Sequence, residues 1–279
     1  MNSHIKVVKV TGEKEDFDQA RLAASLVRSG ASEEIAEQIA SQIASELRPL
    51  TPSVLLYQKA FRLLAEKERR PAARYSLKKA IHALGPTGFP FEELVAEIFR
   101  NRGYDAKRGL FITGKCATHE VDVLAVKNGQ AEIVEAKFHN QIGLKSDLKV
   151  ALYVKARFED LIGSVASLHG ESTSAKIVTG YLITNTKFTE TAVRYSECAG
   201  LNLVGWNYPE HKNLHDWIEE YNVHPITCLR TLPDQYKQEL IRNGILFLRQ
   251  LDESPKILTA LGIGSILSNS ILEEVRNIL

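Results

Sequence analysis

The sequence predicts a multi-domain α/β protein. A small, mostly helical unit covers residues 1–84, an α/β/α core with a mixed sheet covers 85–224, and a helical segment covers 225–279. Three observations lead to this division. Helical periodicity dominates the first stretch and the last, strand-like runs interleave with helices only in the middle, and Gly85-Pro86-Thr87-Gly88 breaks the chain between the first two.

Taken in order, Ile5–Val10 is β-like and is closed by Thr11-Gly12. Ser32 is a good N-cap, with Glu33 and Glu34 in the positive first turn. Ile35, Ile39, Ile43 and Leu47 then recur every fourth residue beside Ala36, Ala40 and Ala44, which makes one apolar stripe ended by Pro49. Thr51 is placed to cap a second helix with Pro52 at its first position, followed by Leu55, Leu56, Ala60 and Leu63. A third helix is expected over residues 71–84. The middle segment opens with a helix from about Phe91, carrying Leu94, Val95, Ile98 and Phe99 on one face. Strands follow at 109–113, 120–126 and 131–137, then a helix at 146–161, a strand at 175–183, a helix at 189–199 and a strand at 201–206. The C-terminal segment reads as helices over 233–243, 244–251, 254–261 and 268–279.

Composition narrows the classes. The 279 residues are 44% hydrophobic and 25% charged, a folded rather than a low-complexity chain. No apolar run approaches the roughly 20 residues of a membrane helix, and the first residues carry no apolar signal core. Three cysteines, Cys116, Cys198 and Cys228, fit no metal or disulfide spacing, so a cytoplasmic protein without a membrane partner is expected. The net charge of +1 argues against a purely electrostatic nucleic-acid coat, although it averages over the domains.

The chemistry concentrates between Glu120 and Lys137. Asn128-Gly129 separates two β-rich runs, and a type I′ turn there needs positive φ at both residues. That turn pairs Lys127 with Gln130 and, counted outward, sets Asp122 opposite Glu135 and Glu120 opposite Lys137. Val121, Val123, Val134 and Ala136 fall on the other face, available to a helix layer. Two carboxylates facing each other are unfavourable unless a cation lies between them. Hard oxygen ligands at this spacing suit Mg²⁺, or Mn²⁺, which keeps waters for a phosphate substrate. Lys137, two residues beyond Glu135, could position a water or stabilise charge on a phosphate oxygen. The competing reading is a solvated strand face with cross-strand ion pairs.

These residues resemble the PD-(D/E)xK nucleases, and within them the Mrr-like restriction endonucleases, over roughly residues 85–206. The resemblance runs through Phe91-Glu92-Glu93-Leu94-Val95, Gly103-Tyr104, His119-Glu120-Val121-Asp122-Val123 and Val134-Glu135-Ala136-Lys137. It implies a restriction-endonuclease-like core, with Asp122 and Glu135 as metal ligands, Lys137 as the catalytic lysine and Glu92 as a supporting helix acid. It further implies a metal-dependent endonuclease acting on DNA. Mrr-like proteins often carry Gln where Glu135 stands. A junction-selective nuclease and a silent, DNA-binding regulator are the alternatives. His139 would share the face of Lys137, to touch phosphate or to close the strand end. His119 could orient a site carboxylate. Lys149, Lys155 and Arg157 could line a DNA cleft.

The first segment resembles an ATP-cone through Val8-Lys9, Gly12, Phe17-Asp18, Arg21-Leu22 and Ala73-Arg74-Tyr75. The resemblance implies ATP or dATP as a regulatory ligand, with Lys9 and Arg21 on phosphate, Gly12 in the tight turn and Asp18 on ribose or base. Lys9-Val10-Thr11-Gly12 lacks one arginine of the usual pattern. Lys67, Arg69, Arg70, Arg74, Lys78 and Lys79 form a basic cluster for nucleotide, DNA or solvent. The C-terminal connections Gly244-Ile245 and Leu261–Gly264 resemble helix-hairpin-helix modules, yet acidic residues slightly outnumber basic ones there. A homodimer or higher homo-oligomer is expected.

Overall fold

A computed structural model describes residues 5–9, 12–141, 143–168 and 174–279. The side chains at positions 69, 70, 73 and 74 lie outside the described set. Val10, Thr11 and the side chains of Arg69, Arg70, Ala73 and Arg74, all named above, therefore carry no structural account.

The N-terminal stretch forms β1 (Lys6–Val8), β2 (Lys14–Asp16), α1 (Gln19–Arg28), α2 (Glu33–Glu46), β3 (Thr51–Pro52), α3 (Ser53–Lys67) and α4 (Arg69–His82). Ser32 caps α2 by accepting from the Ile35 amide, and Ala36, Ile39, Ala40 and Ile43 are buried, the predicted stripe. The single expected strand is a three-stranded sheet in the order β2-β1-β3. Lys14-Glu15-Asp16 shows no apolar alternation because it pairs antiparallel with β1 through backbone alone. Thr51 does not cap α3. Its hydroxyl donates to the Arg48 carbonyl, and Thr51-Pro52 pairs parallel with β1. Leu55 is exposed, and Leu64 takes its place in the core.

The middle stretch forms α5 (Phe89–Asn101), β4 (Asp105–Thr113), β5 (Thr118–Lys127), β6 (Gln130–Lys137), β7 (Lys145–Ser146), α6 (Leu148–Leu161), β8 (Val165–Ser167), β9 (Ser174–Thr184), β10 (Lys187–Phe188), α7 (Glu190–Ala199), β11 (Asn202–Val204) and α8 (Leu214–Glu220). Five strands run in the order β11-β9-β6-β5-β4, with β8 against β9. The sheet is mixed: β11, β9 and β6 are parallel, whereas β6–β5, β5–β4 and β8–β9 are antiparallel. Helices cover both faces. Leu182 packs in one cluster with residues of α6 and α7, while its neighbour Tyr181, pointing the other way, meets Phe99 of α5 and Trp217 of α8. Asp147 and Thr189 cap α6 and α7, and Gly200 closes α7 in the left-handed region.

The C-terminal stretch adds a 3₁₀ turn (Ile226–Cys228), α9 (Asp234–Arg242), α10 (Leu248–Glu253), α11 (Lys256–Ala260) and α12 (Ser265–Ile278). In space the chain divides into two compact units. The first holds the chain up to Ala80 with Ile226–Lys237 and Gln250–Leu279; the second holds Ile81–Pro225 with Gln238–Arg249. Among the described residues no helix is long and apolar enough to cross a membrane.

Candidate active site

The site begins at the hairpin. Asn128 and Gly129 have φ of 52° and 73°, the pair of positive values that a type I′ turn requires. The register follows as counted: Lys127 pairs with Gln130, and each rung is matched to Val123 with Val134. There the β5–β6 ladder stops, one rung short of Asp122 and Glu135. Beyond it β6 runs on along β9, with Glu135 beside Leu182, while β5 runs on along β4, with Glu120 beside Phe111. The expected pairing of Glu120 with Lys137 does not form. Asp122 replaces the missing rung with its own side chain, its Oδ2 accepting from the Ala136 amide at 2.7 Å. Val121, Val123, Val134 and Ala136 are all buried, and the alternate positions 122 and 135 fall on the opposite face.

Three carboxyls collect there. Burial raises Asp122 above the usual carboxylate range against the opposing pull of the Ala136 amide. Burial and the charge of Asp122 raise Glu135. Burial and the charge of Asp122 also raise Glu92 on α5, whose nearest guanidinium, Arg108 Nη1, stands 3.9 Å away. The neighbouring Glu93 is a different kind of acid, because it pairs with Arg100 at 2.6 Å and also with Arg108. Lys137 is exposed and makes no ion pair among the described residues.

Arg157, expected to line a DNA cleft, holds a position closer to the acids. Its Nη1 lies 2.6 Å from Glu135 Oε2, its Nη2 donates to the Glu120 carbonyl, and the Tyr153 ring lies 5.4 Å from the guanidinium carbon. The two charged side chains are only 13% and 18% exposed. Lys155, by contrast, pairs with Glu159 along the helix. His119 donates to or accepts from Asp160 at 2.8 Å, so it serves Asp160 rather than a site carboxylate. That contact, with the amides of Cys116 and Ala117, holds Asp160 down to about 2. His139 closes the strand end: its amide donates to Asn185, and its Nε2 meets Ser146 Oγ at 3.0 Å. Burial, aided by the Lys137 charge, lowers its pKa.

The donor set fits a hard divalent cation. Burial, and for Glu135 and Glu92 also the charge of Asp122, raises these carboxyls, so a cation at the site would favour their ionised form, and their oxygens are the ligands Mg²⁺ takes. Among the described residues no three of His, Cys, Asp and Glu are grouped to hold an ion, so such an ion would take two carboxylates and water.

The residues expected to bind nucleotide lie at the first hairpin. Lys9 Nζ reaches Glu15 at 2.9 Å and Glu13 at 3.2 Å, and Arg21 Nη1 reaches the same Glu15 at 3.6 Å. Gly12 has φ of 83°. Asp18 is the N-cap of α1, its carboxylate accepting from the Arg21 amide at 2.9 Å. Lys67 donates to Gln38.

Fold and site together define a restriction-endonuclease-like domain, and residues 85–210 match the restriction endonuclease family Mrr_cat. Residues 224–279 match the C-terminal family of AF1548-like proteins. An uncharacterized protein of Archaeoglobus fulgidus is 31% identical over 186 residues, 66% of this chain and 99% of its own length. The crystal structure of a protein of unknown function, AF1548, is 30% identical, covers 69% of this chain and 98% of its own, and superposes with a TM-score of 0.54. The chain belongs to the AF1548-like family. The restriction endonuclease MspJI, solved with a 27-mer oligonucleotide, is 16% identical over 48% of this chain and 29% of its own, at a TM-score of 0.32.

Proposed function

We propose that the chain is a metal-dependent endonuclease that hydrolyses DNA phosphodiester bonds. The observation that carries this reading is the opening of the β5–β6 ladder between Asp122 and Glu135, with the exposed ammonium of Lys137 two residues on. Asp122 and Glu135 would hold Mg²⁺ or Mn²⁺, which when bound supplies Lewis acidity and an activated water. Lys137 would neutralise charge on a phosphate oxygen or orient the attacking water as the P–O bond to the leaving oxygen breaks. Glu92 would support the site from α5. The test is nicking of supercoiled plasmid in Mg²⁺ and in Mn²⁺. Wild type should cleave, and Asp122→Asn, Glu135→Gln and Lys137→Ala should each lose at least about 100-fold while remaining folded by circular dichroism. Full activity in Asp122→Asn would discard the assignment, and cleavage of branched but not linear DNA would make the enzyme junction-selective.

The nucleotide-regulated form of this reading is supported by the convergence of Lys9 and Arg21 on Glu15. A nucleotide phosphate would take the place of that carboxylate beside Gly12. Calorimetry with ATP and dATP, followed by cleavage in their presence, tests it; no heat with either nucleotide removes the regulatory part and leaves the nuclease part standing.

A further inference from the structure

We propose that Arg157 is the built-in counter-cation of the resting site, and that it must release Glu135 before the acids can take a metal ion and then turns to the DNA phosphate. The inference rests on the nuclease reading above. The geometry behind it is direct. Nη1 of Arg157 occupies one carboxylate oxygen of Glu135 at 2.6 Å, and Nη2 donates to the carbonyl of Glu120, the strand position two before Asp122. The guanidinium therefore spans the gap between β5 and β6 at the level where their ladder has ended. Lys137 remains exposed, and the cation in contact with Glu135 is Arg157 of α6.

Competition follows from occupancy and from charge. Glu135 Oε2 cannot serve Arg157 and a divalent ion in the same geometry, and two cations in one half-buried pocket repel each other. Arg157 sits four residues after Tyr153, an exposed ring that lies beside the guanidinium while it is paired with Glu135 and helps to hold it there. A planar fork of donors freed at the rim of a phosphodiester site is suited to bidentate contact with phosphate oxygens. Arg157 is thus a positioning residue: it holds Glu135 in place and balances its charge until the metal arrives.

The experiment measures Mn²⁺ affinity by the loss of the free-ion EPR signal, and DNA affinity by anisotropy in Ca²⁺. Arg157→Gln should bind Mn²⁺ about three- to fivefold more tightly than wild type, the scale of one partly exposed ion pair, and should bind DNA more weakly by a similar factor. Arg157→Lys keeps the charge and should stay near wild type for Mn²⁺. Tyr153→Ala, at an exposed position, loosens the same pair without touching a carboxylate and should also tighten Mn²⁺. Asp122→Asn serves to locate the binding. Mn²⁺ affinity unchanged or weakened in both Arg157→Gln and Tyr153→Ala, with Asp122-dependent binding intact in wild type, overturns the inference alone. Wild-type binding that does not depend on Asp122 overturns the nuclease reading and the inference with it.

Discussion

Replacing Gly180 by Ala should destabilise the second unit through one ring. Gly180 lies in β9 directly under α6, and a methyl there would stand 2.9 Å from Phe158 Cγ and closer still to Cδ2 and Cε2. Ordinary carbon contacts are about 3.5–4.0 Å, so the ring must move by an ångström or more. Phe158 has little room to do so, being 5% exposed and packed among Ala151, Val154, Leu161 and Leu182. Overpacking of this kind costs about 1–3 kcal/mol, and a rigid aromatic against backbone belongs at the upper end. At roughly 2–4 °C per kcal/mol for a unit of this size, the unfolding midpoint should fall by about 4–12 °C by circular dichroism. The double variant Gly180→Ala with Phe158→Leu should recover part of the loss, a favourable coupling between the two sites. A midpoint within about 2 °C of wild type in the single variant would show that the ring is not seated on bare strand. The result bears on the site as well, because Phe158 follows Arg157 and any tilt of α6 changes the reach to Glu135.

Three further outcomes are expected. A carboxyl raised in the folded state stabilises most when protonated; its share is full below the ordinary value near 4 and is lost as pH rises through the folded value. Asp122→Asn removes one such share, so its unfolding midpoint should be higher at neutral pH and fall less than that of wild type as pH rises above the ordinary carboxyl value; an unchanged slope would contradict the raised carboxyl. Asp160 has the opposite sign: held at about 2, its contribution is present above pH 4 and lost as pH falls toward 2, so Asp160→Asn should blunt the acid-side loss seen by circular dichroism. Glu274→Ala removes the acceptor of the Arg230 amide, the Thr231 amide and the Thr231 hydroxyl, which should cost about 1–3 kcal/mol in urea unfolding, whereas Glu274→Gln should keep a good part of it.

The hairpin was legible because its turn chemistry is local. Asn128-Gly129 can adopt two consecutive positive φ values at low cost, and the two-residue loop fixes the register as far as Val123 and Val134; the expected pairing of Asp122 with Glu135, one rung on, does not form because each strand there keeps to its outer neighbour. Caps were legible for the same reason, as Ser32 shows. What escaped depends on partners far along the chain. Arg157 lies 22 residues beyond Glu135, on a helix whose seating is decided by Phe158 against Gly180, so nothing in its own neighbourhood marks it as the partner of a site acid. His119 read as a carboxylate-orienting residue of the site because Asp160, its actual partner, lies 41 positions away. Charged Lys14-Glu15-Asp16 and proline-bearing Thr51-Pro52 are strands only because β1 offers its backbone on both sides.

The end of the β5–β6 ladder ties fold to chemistry. Had pairing continued one rung further, Asp122 and Glu135 would face each other with Cβ atoms about 4.5–5.5 Å apart and their charges opposed. The strands part instead, each keeping its outer neighbour, and the Ala136 amide released by the parting is taken by Asp122 itself. That bond holds one carboxylate in place. Arg157 holds the other through Glu135 Oε2. Each acid is thus anchored through one oxygen in the resting site, and on the proposal above Arg157 lets Glu135 go when a metal binds. Two anchored acids on one strand pair are consistent with the metal-binding role proposed for Asp122 and Glu135.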